Sequence, residues 1–324
     1  MKTNYKKILI IQTAFIGDVI LATSIVEKLN DFYPESKIDF LLRKGNESLF
    51  ENHPIINEVL IWDKKNKKYD NLKAISRSVK NAKYDVVVNL HRFASSGLIT
   101  ALSGAKLKLG FNKNPLSFLY TNKISHIIGD GKHEIERNQL LITSITDNQA
   151  SQPKLYPSKK DYSTIEIYKK RNYICLAPTS VWFTKQLPKE KWVKLIHKIN
   201  DQWNIYLLGA SSDLTQCEAI QKLSNNNTVV NLAGRLSFLE SAALMQTAKM
   251  NYVNDSAPLH IASAMNAPVT AYFCSTIPSF GFRPLSDSST IVEVQEKLKC
   301  RPCGLHGKKE CPEGHFDCGF KIQV

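Results

Sequence analysis

No stretch of this 324-residue chain approaches the roughly 20 consecutive apolar residues that a membrane-spanning helix requires. The first seven residues are basic, but the apolar run after them, residues 8–11, is too short for a secretory core and leads straight into a structural pattern. A cytoplasmic protein is therefore expected, with any membrane contact peripheral and from that side. No Gly-x-Gly-x-x-Gly follows the first apolar run and there is no Walker A sequence, which argues against a dehydrogenase and a P-loop enzyme. Asp-x-Asp, a common metal motif, is absent too. Acidic residues are scarce: 29 Asp and Glu stand against 43 Lys and Arg, a net charge of +14. That balance favours an anionic partner, whether nucleic acid, an acidic membrane surface or a phosphorylated substrate. The lack of an interleaved aromatic and basic strand counts against nucleic acid.

What is present is an alternation. Apolar residues make up 43% of a chain that is long for one core, so two globular domains are expected. Residues 7–12 read as a central parallel strand, followed by a loop at 13–17 and a helix opened by Asp18 that carries Ile20, Leu21, Ile25 and Leu29. Residues 38–42, 59–62 and 84–90 read as further strands. Strands alternating with helix-length segments indicate an α/β, doubly wound sheet, whose ligands bind beyond the carboxyl ends of the strands. Polar residues gather at those ends: residues 13–18, Arg43-Lys44 and His91-Arg92. Residues 64–83 are strongly basic, with Leu72, Ile75 and Val79 at helical spacing, as in a helix with a cationic outer face. The polar stretch 147–164, containing Pro153 and Pro157, reads as a linker, giving domains at 1–155 and 165–324. The pattern then restarts, with strands at 173–177, 205–208 and 229–232 and helices at 192–199 and 239–248. Two such domains in succession, each with ligand loops, imply a GT-B architecture: two Rossmann-like domains facing across a cleft.

The most informative stretch is Asn254-Asp-Ser-Ala-Pro-Leu-His-Ile-Ala-Ser-Ala264. A short strand precedes it, Asp255 and Ser256 are good N-caps, and Pro258 fits a first helical turn. Asn266-Ala267-Pro268 ends the helix and residues 269–274 form a buried strand. The open N–H groups of such a helix start suit a phosphate. His260, one turn in, reads as a packed or hydrogen-bonded side chain rather than a catalytic one.

Asp-Ser-x-Pro-x-His-x-Ala-x-Ala here, with Ile16-Gly-Asp18 and Thr23 near the start, resembles glycosyltransferase family 9, the ADP-heptose:lipopolysaccharide heptosyltransferases. Three further stretches support the resemblance: Ala177-Pro-Thr-Ser-Val-Trp-Phe-Thr-Lys-Gln-Leu-Pro188, Leu208-Gly-Ala-Ser-Ser-Asp213 and Asn231-Leu-Ala-Gly234. Two positions depart from the family: Ala257 stands where Gly is common, and Leu187 where Trp is frequent. The resemblance implies metal-independent, inverting transfer of a heptose from ADP-heptose to the inner core of lipopolysaccharide, an anionic acceptor, with no catalytic cofactor. It implies Asp18 as base and Lys185 as the cation at the leaving diphosphate. Thr179, Ser180, Asp213, Asp255, Ser256, Ala257 and Pro258 would bind the donor. Arg43, His91 and Arg92, on the expected ligand edge, are the acceptor candidates; His91 and Arg92 either contact an acidic acceptor or line the cleft. Transfer from another nucleotide sugar, and non-enzymatic binding of a sugar nucleotide or lipid A, stand as alternatives. One difficulty attends Asp18: a helix start favours its charged form and so weakens it as a base.

Four of the seven cysteines crowd the end as Cys300-x2-Cys303-x7-Cys311-x6-Cys318, with His306 and His315 among them. The spacing admits structural zinc, reduced thiols or, least of all in a reducing compartment, a disulfide. Far in sequence from the ligand loops, this tail is expected to do no chemistry.

Overall fold

A computed structural model describes residues 4–199 and 202–324; the basic start at residues 1–3 lies outside the described residues. The chain divides into two compact units between Tyr156 and Pro157.

The first unit runs β1 (Lys7–Ile11), α1 (Ile16–Phe32), β2 (Lys37–Arg43), β3 (Ile56–Trp62), α2 (Lys68–Asn81), β4 (Val86–Asn89), α3 (Ala94–Leu102), β5 (Leu107–Phe111), β6 (Asn122–Ile124) and α4 (Glu134–Leu140). Its six strands are all parallel, in the order β3-β2-β1-β4-β5-β6. Ile8, Leu9, Ile10 and Ile11 are fully buried, as a central strand covered by helices on both faces demands. The sequence reading missed β5 and β6. Leu-Lys-Leu-Gly-Phe breaks its apolar run with a lysine and a glycine, and β6 is a three-residue edge strand.

α1 is buried around most of its circumference. Its far side is covered by the stretch expected to be a linker. Lys28 Nζ lies 3.0 Å from Asp147 Oδ1, the Lys154 N–H donates to Thr23 Oγ1, and the Tyr156 hydroxyl donates to Glu27. The rest of that stretch forms α5 (Lys159–Ile165), started by a capping box between Ser158 and Asp161. A loose connector is thus replaced by packed chain on one side of the boundary and a helix on the other.

The second unit continues β7 (Tyr173–Ala177), α6 (Lys189–Ile196), β8 (Asn204–Leu207), α7 (Leu214–Ser224), β9 (Val229–Asn231), α8 (Phe238–Thr247), β10 (Asn251–Asn254), α9 (Ala257–Ala264), β11 (Val269–Phe273), β12 (Ser289–Glu293) and α10 (Asp317–Phe320). The strand order β12-β11-β10-β7-β8-β9 repeats the topology of the first sheet. β12 went unread because it is a mostly exposed edge strand without an apolar run.

Trp192 is fully buried in the second core, and its indole N–H donates to the Leu187 carbonyl at 3.1 Å. Leu187, the departure from the family's Trp, is itself 1% exposed and belongs to this core rather than to a ligand surface. Trp192→Ala should lower unfolding free energy by about 3–5 kcal/mol, as loss of a buried aromatic does. A urea titration followed by near-ultraviolet circular dichroism measures it, and a loss near zero would mean that the core refills the space.

Candidate active site

In a sheet of order 3-2-1-4-5-6, the strand connections change direction between the first and fourth strands, and their diverging loops leave a crevice. The two sheets have this switch point at β1/β4 and at β7/β10. Asp18 and His91 follow the first pair of strands; Lys185 and Asp255 follow the second.

At the first switch point, α1 starts at Ile16 and not at Asp18. Asp18 is its third residue, where the carboxylate receives the Phe15 and Asp18 N–H groups. Burial raises its pKa from 3.8 to about 6, with the charge of Glu134 adding to the rise and Arg92 and the two N–H groups opposing it. The expected weakening of this base by the helix start is overturned: desolvation outweighs the local N–H groups. Glu134 is held ionised nearby. Burial pushes its pKa up, but His126 (3.0 Å) and Arg137 (3.0 Å) more than offset this and bring it below its usual value.

Two cations, Arg43 and Arg92, act on Asp18 through their charge, and more gather at the same strand ends. Arg43, at the end of β2, stacks its guanidinium 4.6 Å from the centre of the half-exposed Phe15 ring. Burial pulls Arg43 below its ordinary pKa, while the Asp18 charge pulls it up. Arg92 lies 3.3 Å from His126 Nδ1. Lys64 donates to the Thr13 carbonyl at 2.7 Å and lies 3.0 Å from the Thr13 hydroxyl. Burial, with Arg43 and Lys68 nearby, pushes Lys64 down to about 8. His91 is buried 3.1 Å from the same hydroxyl; burial and the charges of Lys64, Arg92 and Arg43 push it down to about 3, so it is a neutral imidazole. This end of the unit can hold an anion beside a carboxyl group that titrates near neutrality.

At the second switch point, the loop after β7 folds back on the end of β10. The Leu187 N–H donates to Asn254 Oδ1 at 2.9 Å, the Gln186 side chain to the Ser180 carbonyl at 2.7 Å, and the Ser256 hydroxyl to the Thr179 carbonyl at 3.5 Å. These bonds bring Thr179, Ser180, Lys185, Asp255 and Ser256 to one place. Asp255 is no helix cap, contrary to the sequence reading. Its buried carboxylate accepts the Lys185 ammonium at 2.7 Å and the Thr276 hydroxyl at 2.6 Å. The N-cap of α9 is Ser256, whose side chain makes no capping bond, with Pro258 in the first turn. The first N–H groups of the helix are thus uncapped by a side chain, the arrangement that suits an anion. Ala257 is the first helical residue, a conformation any L-residue adopts, so the exchange from Gly alters only the space above the turn. His260 is buried near Phe282, its Nδ1 has no hydrogen-bond partner, and burial pushes it down to about 4. Asp213 lies apart, after β8, where it accepts the Ala210 N–H at 2.8 Å.

The family match settles the kinship of this arrangement. Glycosyltransferase family 9 (heptosyltransferase) matches residues 72–315. The chain belongs to that family. It is 26% identical over 293 residues to lipopolysaccharide heptosyltransferase 3 of Escherichia coli, a match covering 85% of each chain. Among solved structures it is similar to a glycosyl transferase family 9 protein from Veillonella parvula, with a TM-score of 0.80 at 20% identity over 90% of this chain and 86% of that one. It is also similar to the E. coli ADP-heptose lps heptosyltransferase II, with a TM-score of 0.78 at 20% identity over 92% and 95%. The fold is therefore GT-B, and the protein is a glycosyltransferase of the heptosyltransferase family of lipopolysaccharide core biosynthesis. The matched span begins after Asp18 and Arg43.

In this glycosyltransferase the sequence reading had overlooked several groups around the two switch points. Lys64 was visible only as one member of a basic run, and nothing in the sequence joined Glu134 to Asp18 or Thr276 to Asp255. The tail, distant in sequence from the ligand loops, lies against the Lys185 loop: the Cys303 N–H donates to the Ser275 carbonyl, and the Lys308 N–H to Thr184 Oγ1. All seven cysteines are free, and burial, together with neighbouring thiols, pushes Cys318 up to about 12. Among the described residues, no three His, Cys, Asp or Glu side chains are grouped as metal ligands would be.

The folded protein holds the Asp18 proton more tightly than an unfolded chain does. The stability linked to that proton is full below the ordinary 3.8 and is lost as pH rises through about 6. Asp18→Asn removes this dependence. Its melting temperature relative to the parent should be higher at about pH 7.5 than at about pH 4. An equal difference at both pH values would mean that Asp18 titrates normally.

Proposed function

We propose that this enzyme transfers a heptose from ADP-heptose to a sugar hydroxyl of the lipopolysaccharide inner core, with inversion and without a metal. The observation that carries the reading is Asp18, a carboxyl raised to about 6 with Arg43 and Arg92 acting on it and Lys64 beside Arg43. A base of that pKa is ionised at neutral pH yet still accepts a proton readily. The cations around it suit the carboxylates and phosphates of such an acceptor. The donor is supported by the name of the E. coli relative of like fold, which is an ADP-heptose enzyme.

In this mechanism the acceptor oxygen attacks the anomeric carbon as the bond from that carbon to the diphosphate breaks. The proton of the hydroxyl passes to Asp18, and the bonding electrons leave with the diphosphate. One displacement inverts the anomeric centre, through an oxocarbenium-like state as in inverting glycosidases. Lys185 meets the charge growing on the diphosphate, and the N–H groups at the start of α9 share it with Thr179 and Ser180. Asp213 contacts the nucleoside, and Arg43, His91 and Arg92 hold the acceptor, with Lys64 added to that set. A lysine and a helix start that supply positive charge are what support metal-free departure of the leaving group.

No helix among the described residues is long and apolar enough to cross a membrane. We assign the enzyme to the cytoplasm, touching the inner membrane peripherally to reach its lipid-anchored acceptor, and Phe93, Leu98 and Leu102 present exposed apolar side chains just after Arg92.

The donor is tested by thermal shift with ADP-, GDP- and UDP-sugars; at 100 times its Kd the right one adds roughly 2.7 kcal/mol of stability. Stabilisation by GDP- or UDP-sugars alone would replace the ADP donor. Asp18→Asn should bind donor normally yet lose roughly 10²–10⁴-fold in kcat. Lys185→Ala should lose on the order of 10²-fold in kcat with a smaller loss of donor affinity. The parent's kcat/KM should rise with pH through about 6 as Asp18 ionises and fall above about 8 as Lys64 loses its charge. A profile flat across both values would remove these groups from the reaction. Turnover should survive a chelator; its loss with the fold intact would restore a metal to the mechanism.

A further inference from the structure

We propose that the C-terminal segment 300–308 is a positioning strap that sets where the Lys185 ammonium stands. The role given to Lys185 rests on the reading above; the placement of the strap does not.

Arg301 anchors the segment. Its guanidinium donates to the carbonyls of Cys274 (2.6 Å), Phe273 (3.2 Å) and Thr276 (2.7 Å) and to Glu293 (2.6 Å). This fixes the short turn after β11, in which neighbouring residues face the two partners of the ion pair. Thr276 holds Asp255, as described. Ser275 donates its hydroxyl to Thr184 Oγ1 at 2.9 Å, and its N–H goes to the Thr184 carbonyl at 3.2 Å. The strap closes the circuit from the other side. The Lys308 N–H donates to Thr184 Oγ1 at 2.8 Å, and the Thr184 N–H donates to the Lys308 carbonyl at 3.1 Å.

Thr184, the residue before Lys185, is thus gripped by both the turn and the tail. Gly307 brings the grip onto Lys185 itself. Its φ of +75° suits glycine, and a Cβ there would lie 2.8 Å from Lys185 Cγ and 3.1 Å from Thr184 Oγ1. Backbone without a side chain is therefore pressed against the stem of the lysine. The ammonium beyond that stem is 2.7 Å from Asp255, and the side chain is only 15% exposed. A misplacement of about 1 Å in a group that acts on the transition state costs up to 10²-fold in rate, so a strap at this point matters to turnover. Thr184, Ser275 and Gly307 act through Lys185 and are positioning residues.

The test compares Thr184→Val, Thr184→Ser, Ser275→Ala and Gly307→Ala in the full-length protein. The first readout needs no substrate: acylation of Lys185 by an amine-reactive reagent, followed by peptide mass spectrometry and normalised to the exposed Lys297. Thr184→Val and Gly307→Ala should raise Lys185 labelling several-fold, Ser275→Ala less, and Thr184→Ser, which keeps the hydroxyl, should match the parent. The second readout is turnover. Thr184→Val and Gly307→Ala should lose about 10-fold in kcat with little change in donor KM, and Thr184→Ser should restore it. If either of the two stronger variants does not fold, Ser275→Ala, which removes one hydrogen bond, carries the test. Folded variants with parental Lys185 labelling and parental kcat would overturn the strap. Raised labelling in a protein whose parent transfers sugar from no nucleotide donor would support the strap and overturn the function proposed for Lys185.

Discussion

The second unit depends on one ion pair. A carboxylate as buried as Asp255 needs a counter-charge, because breaking a buried pair by removing one member costs about 3–5 kcal/mol. Lys185 supplies that charge, but from a loop, and a loop lysine has a flexible stem. Much of the surrounding structure is what holds such a stem in place. Asn254 fixes the backbone at Leu187, Gln186 ties the loop to Ser180, Ser275 and Lys308 grip Thr184, and Thr276 takes a second position on the carboxylate. Beside the pair, α9 begins with no side-chain cap, and among the described residues His260 Nδ1 has no hydrogen-bond partner. An uncapped helix start next to a cation is local chemistry that suits an anion.

The first unit treats its carboxylate in the opposite way. Asp255 is paired directly with a cation; Asp18 is buried, with no cation in salt-bridge contact among the described residues and with the ionised Glu134 nearby. The same residue type, at the same switch point of the same topology, is ion-paired in one unit and, in the other, has its pKa raised by burial to about 6. Environment alone separates the two carboxylates, one ion-paired and the other desolvated. The cost in stability of leaving Asp18 incompletely satisfied is the kind that functional sites carry.

How much of this could be read beforehand follows from sequence distance. The βα units announced themselves through local signals: aliphatic runs such as Ile8 to Ile11, and Pro258 in a first turn. Topology then did the rest, since any residue just after a central strand must lie at the ligand edge. That is why Asp18, His91, Lys185 and Asp255 could be placed at that edge. What could not be read were contacts made across the fold. Glu134 reaches Asp18 through α4 packing on α1, and Lys64 enters by folding back on Thr13. The local electrostatics of Asp18 were misjudged for the same reason. Its helix start was visible and its burial was not, and burial was the larger effect. Edge strands such as β6 and β12 escaped because a strand paired on one side needs little apolar sequence.

The tail shows why sequence distance misleads about chemistry. Residues 300–308 lie more than a hundred positions beyond Lys185, yet they join the same hydrogen-bonded circuit. The cysteines explain how so short a segment can hold its place. Cys318 and Phe316 sit in the second core, with Cys311 against it, and Phe316 packs on Phe183, one residue from Thr184. Arg301 binds the other end to the turn after β11. A segment fixed at both ends loses little further freedom when its middle contacts the lysine loop, so even a glycine backbone can impose a position there. The later cysteines thus help to anchor the segment, and the residues between them meet the Lys185 loop.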